Sequence, residues 1–394
     1  MSAALQSQAH HYDAALAQRT TLTVLFAGGG TGGHIFPALA VAEALLAMRP
    51  GVQARFLCSS RPLDAQILSA QRVAGAPAEF VAVPAQPFGL RPRAAIRFLA
   101  SWGGAVRAGR EEIRAARARG PVIVAAFGGF VAAPVVQAAR AERVPTLMVN
   151  LDAIPGKANR WIARHASRVL TAAPAQGTSW TQIRPIVRSA SVTDRTPAEC
   201  RAACGLDASA PVLLITGGSQ GAGSINAFMS AFVREHASAI SGWQILHQTG
   251  KDGADEMRAA YAAAGVRASV TPFITDMGLA WGAADAAVGR AGAGTVAEAW
   301  ANRVPTLFLP YPYHKDQHQK FNAMPLVSTG AALLATDHID ASANMRDAGL
   351  LLASLLTNEQ TQEGPRTKIR AALAALGPAD GAATVATQIL ELAR

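Results

Sequence analysis

Two glycine-rich segments could bind phosphate: Gly28-Gly29-Gly30-Thr31-Gly32-Gly33-His34 and Gly217-Gly218-Ser219-Gln220-Gly221-Ala222. Lacking bulky side chains, such loops let an anion reach backbone amides, and a helix starting there adds the positive end of its dipole. A second kind of chemistry lies further along. The run Arg290-Ala-Gly-Ala-Gly-Thr295-Val-Ala-Glu298 joins a small-residue loop to a carboxylate, expected in about the first turn of a helix, that can accept both hydroxyls of a ribose. Downstream, His318 and Asn322 are four apart and Gln319 and Asn322 three apart, so on a helix they share one face. A face of amide and imidazole groups suits the hydroxyls of a neutral sugar. At the start of a helix, His34 is disfavoured from charging by the dipole, which suits a base or a group that orients a nucleophile.

Other chemistries fit these residues in part. Gly28, Gly30 and Gly33 satisfy G-x-G-x-x-G after a strand, the pattern of dinucleotide sites. An NAD enzyme would place an acid at the end of the second strand, where this chain has Cys58-Ser59-Ser60-Arg61. Ser59 and Arg61 could accept the extra phosphate of NADP, so the first half alone also reads as an NADP-dependent oxidoreductase. Neither loop is followed by Lys-Ser or Lys-Thr, which argues against a P-loop NTPase. The sequence contains no Asp-x-Asp, and no His or Cys near Cys200 and Cys204 completes a zinc site, so no metal is expected.

The elements that must position these groups are legible as short apolar runs bounded by turn residues. In the first half they are Leu22–Ala27, Ala54–Cys58, Phe80–Val83, Val122–Phe127, Thr146–Asn150 and Val169–Ala172. In the second half they are Val212–Thr216, Trp243–Gln248, Ser269–Phe273, Ala286–Gly289, Thr306–Pro310 and Ala332–Ala335. Helix-length segments rich in Ala, Leu and Arg separate them, and this alternation builds doubly wound parallel sheets. The expectation is therefore α/β: two Rossmann-like domains facing across a cleft, with the site beyond the carboxyl ends of the strands. The linker is expected near Gln176–Arg195, which gives an N-terminal domain over 1–183, a C-terminal domain over 184–380 and a final helix over 381–394 without an assigned docking partner.

Charge is uneven along the 394 residues. Residues 1–183 hold 19 Lys and Arg against 8 Asp and Glu, whereas the remainder hold 17 against 18, so the net +10 sits in the first half. That suits an anionic partner such as a phosphorylated lipid, an anionic membrane surface or nucleic acid. Between Pro84 and Arg114, Phe88, Leu90, Ile96, Phe98, Leu99 and Trp102 interleave with Arg91, Arg93, Arg97, Arg107 and Arg110. Such a stretch is either a helix lying in a membrane interface or an amphipathic core helix. No signal peptide and no run of about 18 uncharged apolar residues is evident, so membrane contact is expected to be peripheral. Three cysteines without regular spacing suit a reducing cytoplasm.

Taken together, the segments 28–45, 127–134, 155–161, 217–222, 247–251, 273–277, 290–298 and 314–323 resemble, in order, those of the MurG family of bacterial glycosyltransferases (glycosyltransferase family 28). The resemblance implies a GT-B fold, no cofactor, and inverting transfer of N-acetylglucosamine from UDP-N-acetylglucosamine to undecaprenyl-pyrophosphoryl-N-acetylmuramyl-pentapeptide. The partners implied are that donor, the polyprenyl-pyrophosphate acceptor and the anionic cytoplasmic face of the inner membrane, with nucleic acid set aside. His34 and Glu298 would act in catalysis. The donor would meet Phe273 and the Ile274 backbone at uracil, Glu298 at ribose, and Ser219, Gln220, Arg290, Ala293 and Thr295 around the diphosphate. Arg188 would lie near the donor, His318, Gln319 and Asn322 would meet its sugar, and Thr31, Gly32 and Gly33 would border it. The acceptor would meet Gly30, Thr31, His34, Gly128, Gly129 and Asp152. Two departures stand out. Where the family commonly has His-Glu-x-Asn before Pro-Gly, this chain has Val149-Asn150-Leu151-Asp152, and where it has Gly-Asn-Pro before Val-Arg, this chain has Arg184-Pro185-Ile186. They leave open a related UDP-sugar-binding protein with an altered acceptor or without catalysis.

Overall fold

The twelve apolar runs all form strands, and they do so in two separate parallel sheets. The computed structural model describes residues 21–30, 32–89, 91–218, 221–357 and 364–394. The first sheet contains β1 (Thr23–Gly28), β2 (Gln53–Ser59), β3 (Glu79–Val83), β4 (Val122–Gly128), β5 (Thr146–Asn150), β6 (Arg168–Thr171) and β7 (Thr181–Gln182), in the spatial order β3-β2-β1-β4-β5-β6-β7. The second contains β8 (Val212–Thr216), β9 (Gln244–Gln248), β10 (Ala268–Thr271), β11 (Ala286–Gly289), β12 (Thr306–Phe308) and β13 (Leu333–Leu334), in the order β10-β9-β8-β11-β12-β13. Each sheet thus begins at its centre, steps outward, then reverses beside its first strand. That reversal opens a crevice at the carboxyl ends of β1 and β4 and of β8 and β11. The central strands are apolar on both faces because helices cover both; Val24 to Ala27 and Val212 to Ile215 are buried throughout.

The principal helices that enter the argument are α1 (Gly32–Met48), α2 (Pro62–Ser69), α3 (Pro92–Arg117), α4 (Gly129–Ala141) and α5 (Lys157–Ala163) in the first domain. In the second they are α6 (Gly223–Glu235), α7 (Met277–Ala283), α8 (Ala293–Asn302), α9 (His318–Val327) and α10 (Ala341–Leu356), followed by the terminal α11 (Gly381–Leu392). The last of these returns to the first domain. Ala382, Val385, Ala386 and Ile389 join the core formed by α1 and the first sheet, and Arg168 on β6 pairs with Glu391 at 2.7 Å. The two chain crossings between domains lie side by side: Gly381 donates its N–H to the Pro185 carbonyl at 3.1 Å, and Arg184 pairs with Asp380 at 3.2 Å.

The arginine-rich stretch forms one helix whose two halves differ in burial. In α3 the later turns pack inward through Ala105, Gly109, Ile113 and Ala116, while Arg110 and Arg114 bind Glu142 at the end of α4. The first turns stand out from the domain: Leu99 is 70%, Ile96 65% and, just before the helix, Phe88 59% exposed, beside exposed Arg91, Arg93 and Arg97. Leu90 lies outside the described residues. Phe88, Phe98, Trp102 and Trp161 form successive ring contacts at 5.4–6.2 Å, which stiffen the base of this projection. No helix among the described residues is long and apolar enough to cross a membrane.

Candidate active site

The first glycine loop is held from beneath by a buried acid. Asp64, in the first turn of α2, accepts hydrogen bonds from the Gly30 N–H (2.8 Å), the Ser59 N–H (2.9 Å) and the Ser59 hydroxyl (2.7 Å). Arg61 donates to the Gly30 carbonyl at 3.3 Å and lies 5.0 Å over the Phe130 ring. Ser59 and Arg61 therefore brace the loop, which corrects their reading as an NADP phosphate site. Gly128 and Gly129, both at positive φ, pack directly against it. A Cβ on Gly129 would stand 2.6 Å from the Gly29 carbonyl oxygen, so only glycine allows the two loops to touch.

His34 sits within the first turn of α1, beside Gly28 and Gly129. Burial holds its imidazole below the usual histidine range, opposed by the charges of Asp152 and Asp64 and by a hydrogen bond to the Gly29 carbonyl. A neutral imidazole is the form that can take a proton. Gly32 and Gly33 open α1 at the same place, while Thr31 lies outside the described residues.

In the second domain, the N-terminus of α8 points into the cleft. Gly292 is its N-cap, and Ala293 and Thr295 lie in its first turn, where unpaired amides can meet a phosphate. Glu298 belongs to the second turn of α8, not the first, so dipole stabilisation does not explain it. Its carboxylate accepts one hydrogen bond on each oxygen, from Ser191 Oγ and Trp281 Nε1, both at 3.0 Å. Burial raises its pKa above the usual carboxylate range despite those two bonds. Phe273 follows β10 and is 51% exposed, available to a planar base. The Ile274 N–H is taken by Gln248 Oε1 at 2.9 Å, and Gln248 Nε2 donates to the Gly218 carbonyl at 2.7 Å. One glutamine thereby ties the segment at Phe273 and Ile274 to the second glycine loop. Ser219 and Gln220, expected at the diphosphate, lie outside the described residues; Gly221, at φ 75°, lies against Gly250.

Both arginines expected at the donor are engaged elsewhere, as is the Ile274 N–H. Arg290 is buried and bonds Asp337 (2.6 Å), the Leu309 carbonyl (2.8 Å) and Ser224 Oγ (2.8 Å). Asp337 in turn accepts from Ser224, Ile339 N–H and Asn344. This network ties α6, β11, the chain after β12 and α10 together, and it positions the loop before α8 from behind. Arg188 reaches into the first domain, where it pairs with Glu43 of α1 at 3.2 Å through Nε and contacts Gln71; Ser189 adds a bond to Glu43 at 3.0 Å.

Helix α9, which carries the residues expected to meet the sugar, reaches the first domain across the cleft. Asn322 donates to Asp152 Oδ1 at 2.9 Å and accepts from the Ala153 N–H at 2.8 Å, so it is buried against the first domain. Gln319 Oε1 accepts the Tyr311 N–H at 2.8 Å, and His318 Nδ1 meets Asp316 at 2.9 Å with its ring 4.3 Å from that of His314. Beside Asn322 lies an interdomain cavity of about 300 Å³, lined by Pro37, Leu151, Ile183, Gly294, Ala297 and Trp300 among others.

Sequence reasoning did not single out Asp64, Ser191, Trp281, Gln248 or Asp337. Asp64 carried a usable signal, an acid in the first turn after Arg61-Pro62. The others act through contacts more than fifteen residues apart, which no local pattern announces.

Comparison with known proteins agrees with this geometry. Residues 24–171 match the glycosyltransferase family 28 N-terminal domain and residues 212–365 its C-terminal domain. A protein of Mycobacterium sp. (strain JLS) is 36% identical across 95% of this chain and 96% of its own, and one of Anaeromyxobacter sp. (strain Fw109-5) is 32% identical across 95% and 94%. Both are named UDP-N-acetylglucosamine--N-acetylmuramyl-(pentapeptide) pyrophosphoryl-undecaprenol N-acetylglucosamine transferase. Among solved structures, Acinetobacter baumannii MurG superposes with a TM-score of 0.70 at 26% identity, covering 94% of this chain and 99% of that one. A UDP-N-acetylglucosamine 2-epimerase, at 14% identity and TM-score 0.61 over 94% and 96% of the two chains, shares the fold alone.

Proposed function

The chain belongs to glycosyltransferase family 28, and we propose that it moves N-acetylglucosamine from UDP-N-acetylglucosamine to undecaprenyl-pyrophosphoryl-N-acetylmuramyl-pentapeptide, the step that completes the lipid-linked disaccharide of peptidoglycan. The observation that carries this reading is the match, at 36% identity over 95% of the chain, to transferases named for that reaction. The site supports it with two glycine loops, each entered from the first strand of its own sheet, one for each substrate.

The donor lies in the second domain. Phe273 stacks on uracil, Glu298 receives the ribose hydroxyls on its remaining lone pairs, and the α8 N-terminus with Ala293 and Thr295 faces the diphosphate. Leaving-group charge that develops on UDP is offset by those amides. The acceptor pyrophosphate lies against Gly30 and the Gly128-Gly129 turn, which brings its sugar hydroxyl toward His34. His34 takes the hydroxyl proton as oxygen attacks the anomeric carbon, and inversion follows from a single displacement. His318, Gln319 and Asn322 read the transferred sugar, which requires Asn322 to exchange part of its contact with Asp152. Arg188 acts on the donor indirectly, by holding the closed arrangement through Glu43.

The exposed apolar tip of α3, with Arg91, Arg93 and Arg97 around it, lies on an anionic bilayer and places the acceptor domain at the cytoplasmic face of the inner membrane. Incubation with radiolabelled UDP-N-acetylglucosamine and a short-chain analogue of the lipid acceptor tests the reading. Label appears in the lipid fraction with equimolar UDP release; UDP-sugar binding without such product identifies a non-catalytic relative.

A further inference from the structure

On the glycosyl-transfer reading, we infer that Asp316 is a positioning residue: it fixes the His318 ring so that Nε2 meets the transferred sugar as a hydrogen-bond acceptor, while the neighbouring Gln319 meets it as a donor. Both side chains stand in the first turn of α9, and each has one end already tied down.

The polarity of each group follows from its partner. Asp316 Oδ1 meets His318 Nδ1 at 2.9 Å and also accepts the His318 N–H at 3.3 Å. A carboxylate only accepts, so the ring proton sits on Nδ1 and the lone pair on Nε2. Desolvation opposes the charge on Asp316, yet the bonds from the His318 ring and N–H hold its pKa below the usual carboxylate range. Gln319 is set by an opposite partner: its Oε1 accepts the Tyr311 N–H at 2.8 Å, which leaves its NH2 to donate elsewhere.

The backbone provides the geometry. Gln317, the N-cap of α9, has φ 49°, in the left-handed region that a residue with a Cβ seldom adopts. That kink turns Asp316 back onto the first turn, within reach of the His318 ring. The ring is also held from the side: His314 packs on it at 4.3 Å, Tyr311 on His314 at 4.7 Å, and Arg290 lies 5.6 Å from the Tyr311 ring. Burial and the neighbouring His318 lower the pKa of His314 against the charges of Asp316 and Asp152, so His314 is a neutral wall.

The pair faces the cleft. His318 and Gln319 flank Asn322 one helical turn before it, and Asn322 reaches Asp152 and the Ala153 N–H of the first domain. Asn322 is thereby engaged, so an arriving sugar meets the first turn before it meets Asn322. Adjacent helical residues diverge by about 100°, which lets the acceptor nitrogen and the donor amide serve different hydroxyls of one ring. Neither group carries a charge, which suits a neutral hexosamine and offers nothing to the UDP moiety.

The test has a structural arm and a binding arm. Nuclear magnetic resonance of the His318 ring nitrogens should place the proton on Nδ1 in the native protein; a proton on Nε2 overturns the inference. Asp316→Ala changes an exposed residue and releases the ring. Affinity for UDP-N-acetylglucosamine is expected to fall about three- to tenfold, while affinity for UDP changes by less than about twofold. A merely structural role would weaken both ligands alike. In a His318→Gln background, whose amide oxygen accepts without help from Asp316, the same Asp316→Ala change is expected to cost less than about twofold. An unchanged affinity for the sugar nucleotide, an equal loss for UDP, or an undiminished loss in the His318→Gln background overturns the inference. Neither arm uses the lipid acceptor, so a native protein that passes both and makes no lipid-linked product refutes the transferase reading alone.

Discussion

Replacing Glu298 by glutamine separates binding from folding at a single side chain. In the free protein each carboxylate oxygen accepts one bond at 3.0 Å, and burial raises the pKa. Glutamine keeps an acceptor for Trp281, and the Ser191 hydroxyl can rotate to accept from the new NH2, so both contacts survive. The cost of burying a charge disappears. The unfolding free energy at neutral pH is therefore expected to stay within about 1 kcal/mol of the native value or to rise. Donor binding responds oppositely, since ribose hydroxyls lose a charged acceptor worth about 1.5 to 3 kcal/mol, a rise in Kd of roughly 10- to 150-fold. Calorimetric titration with UDP reads this directly. The pH dependence has a definite sign. An acid whose folded pKa is raised binds more protons folded than unfolded, so stability falls as pH rises from the ordinary value near 4.5 up to the raised one. That segment of slope is absent from Glu298→Gln. An unchanged Kd for UDP refutes the ribose contact, and a stability loss of several kcal/mol refutes the reading of Glu298 as a buried acid kept for binding.

Three further outcomes follow from the packing. Asp64→Ala leaves the Gly30 N–H, the Ser59 N–H and the Ser59 hydroxyl without their acceptor; it should cost on the order of 3 to 6 kcal/mol in urea unfolding, and a loss under about 1 kcal/mol contradicts the bracing role. Arg290→Met strands the buried Asp337 carboxylate and should cost about 3 to 5 kcal/mol, while UDP affinity of the folded protein changes little; the reverse pattern returns Arg290 to the diphosphate. Changing Ile96 and Leu99 together to serine should leave stability within about 0.5 kcal/mol, because both are exposed, yet reduce sedimentation with anionic vesicles; equal sedimentation removes the membrane assignment of this tip.

The strands were legible because each is a continuous apolar run closed by turn residues, a pattern that buried parallel strands share with little else. β7, at two residues, is too short to announce itself, and it falls inside the segment expected to be linker. The glycine loops were legible for the same local reason. What the sequence hid is the commitment of polar side chains to distant partners. Arg290 reads as a phosphate ligand beside a small-residue loop, yet Asp337 lies 47 positions away and claims it. Arg188 is similar: Glu43 is 145 positions distant and on another domain. The α3 stretch was ambiguous because its later turns pack into the core while its first turns stay exposed. Docking of α11 was invisible because its apolar face matches α1, not a neighbour in sequence.

The most direct test of the central claim is transfer itself. Purified protein, radiolabelled UDP-N-acetylglucosamine and polyprenyl-pyrophosphoryl-N-acetylmuramyl-pentapeptide in anionic vesicles should yield a lipid-linked, β-configured disaccharide and one UDP per sugar moved. Binding of UDP-N-acetylglucosamine with no labelled lipid, or label passing instead to a diacylglycerol acceptor, would contradict the account.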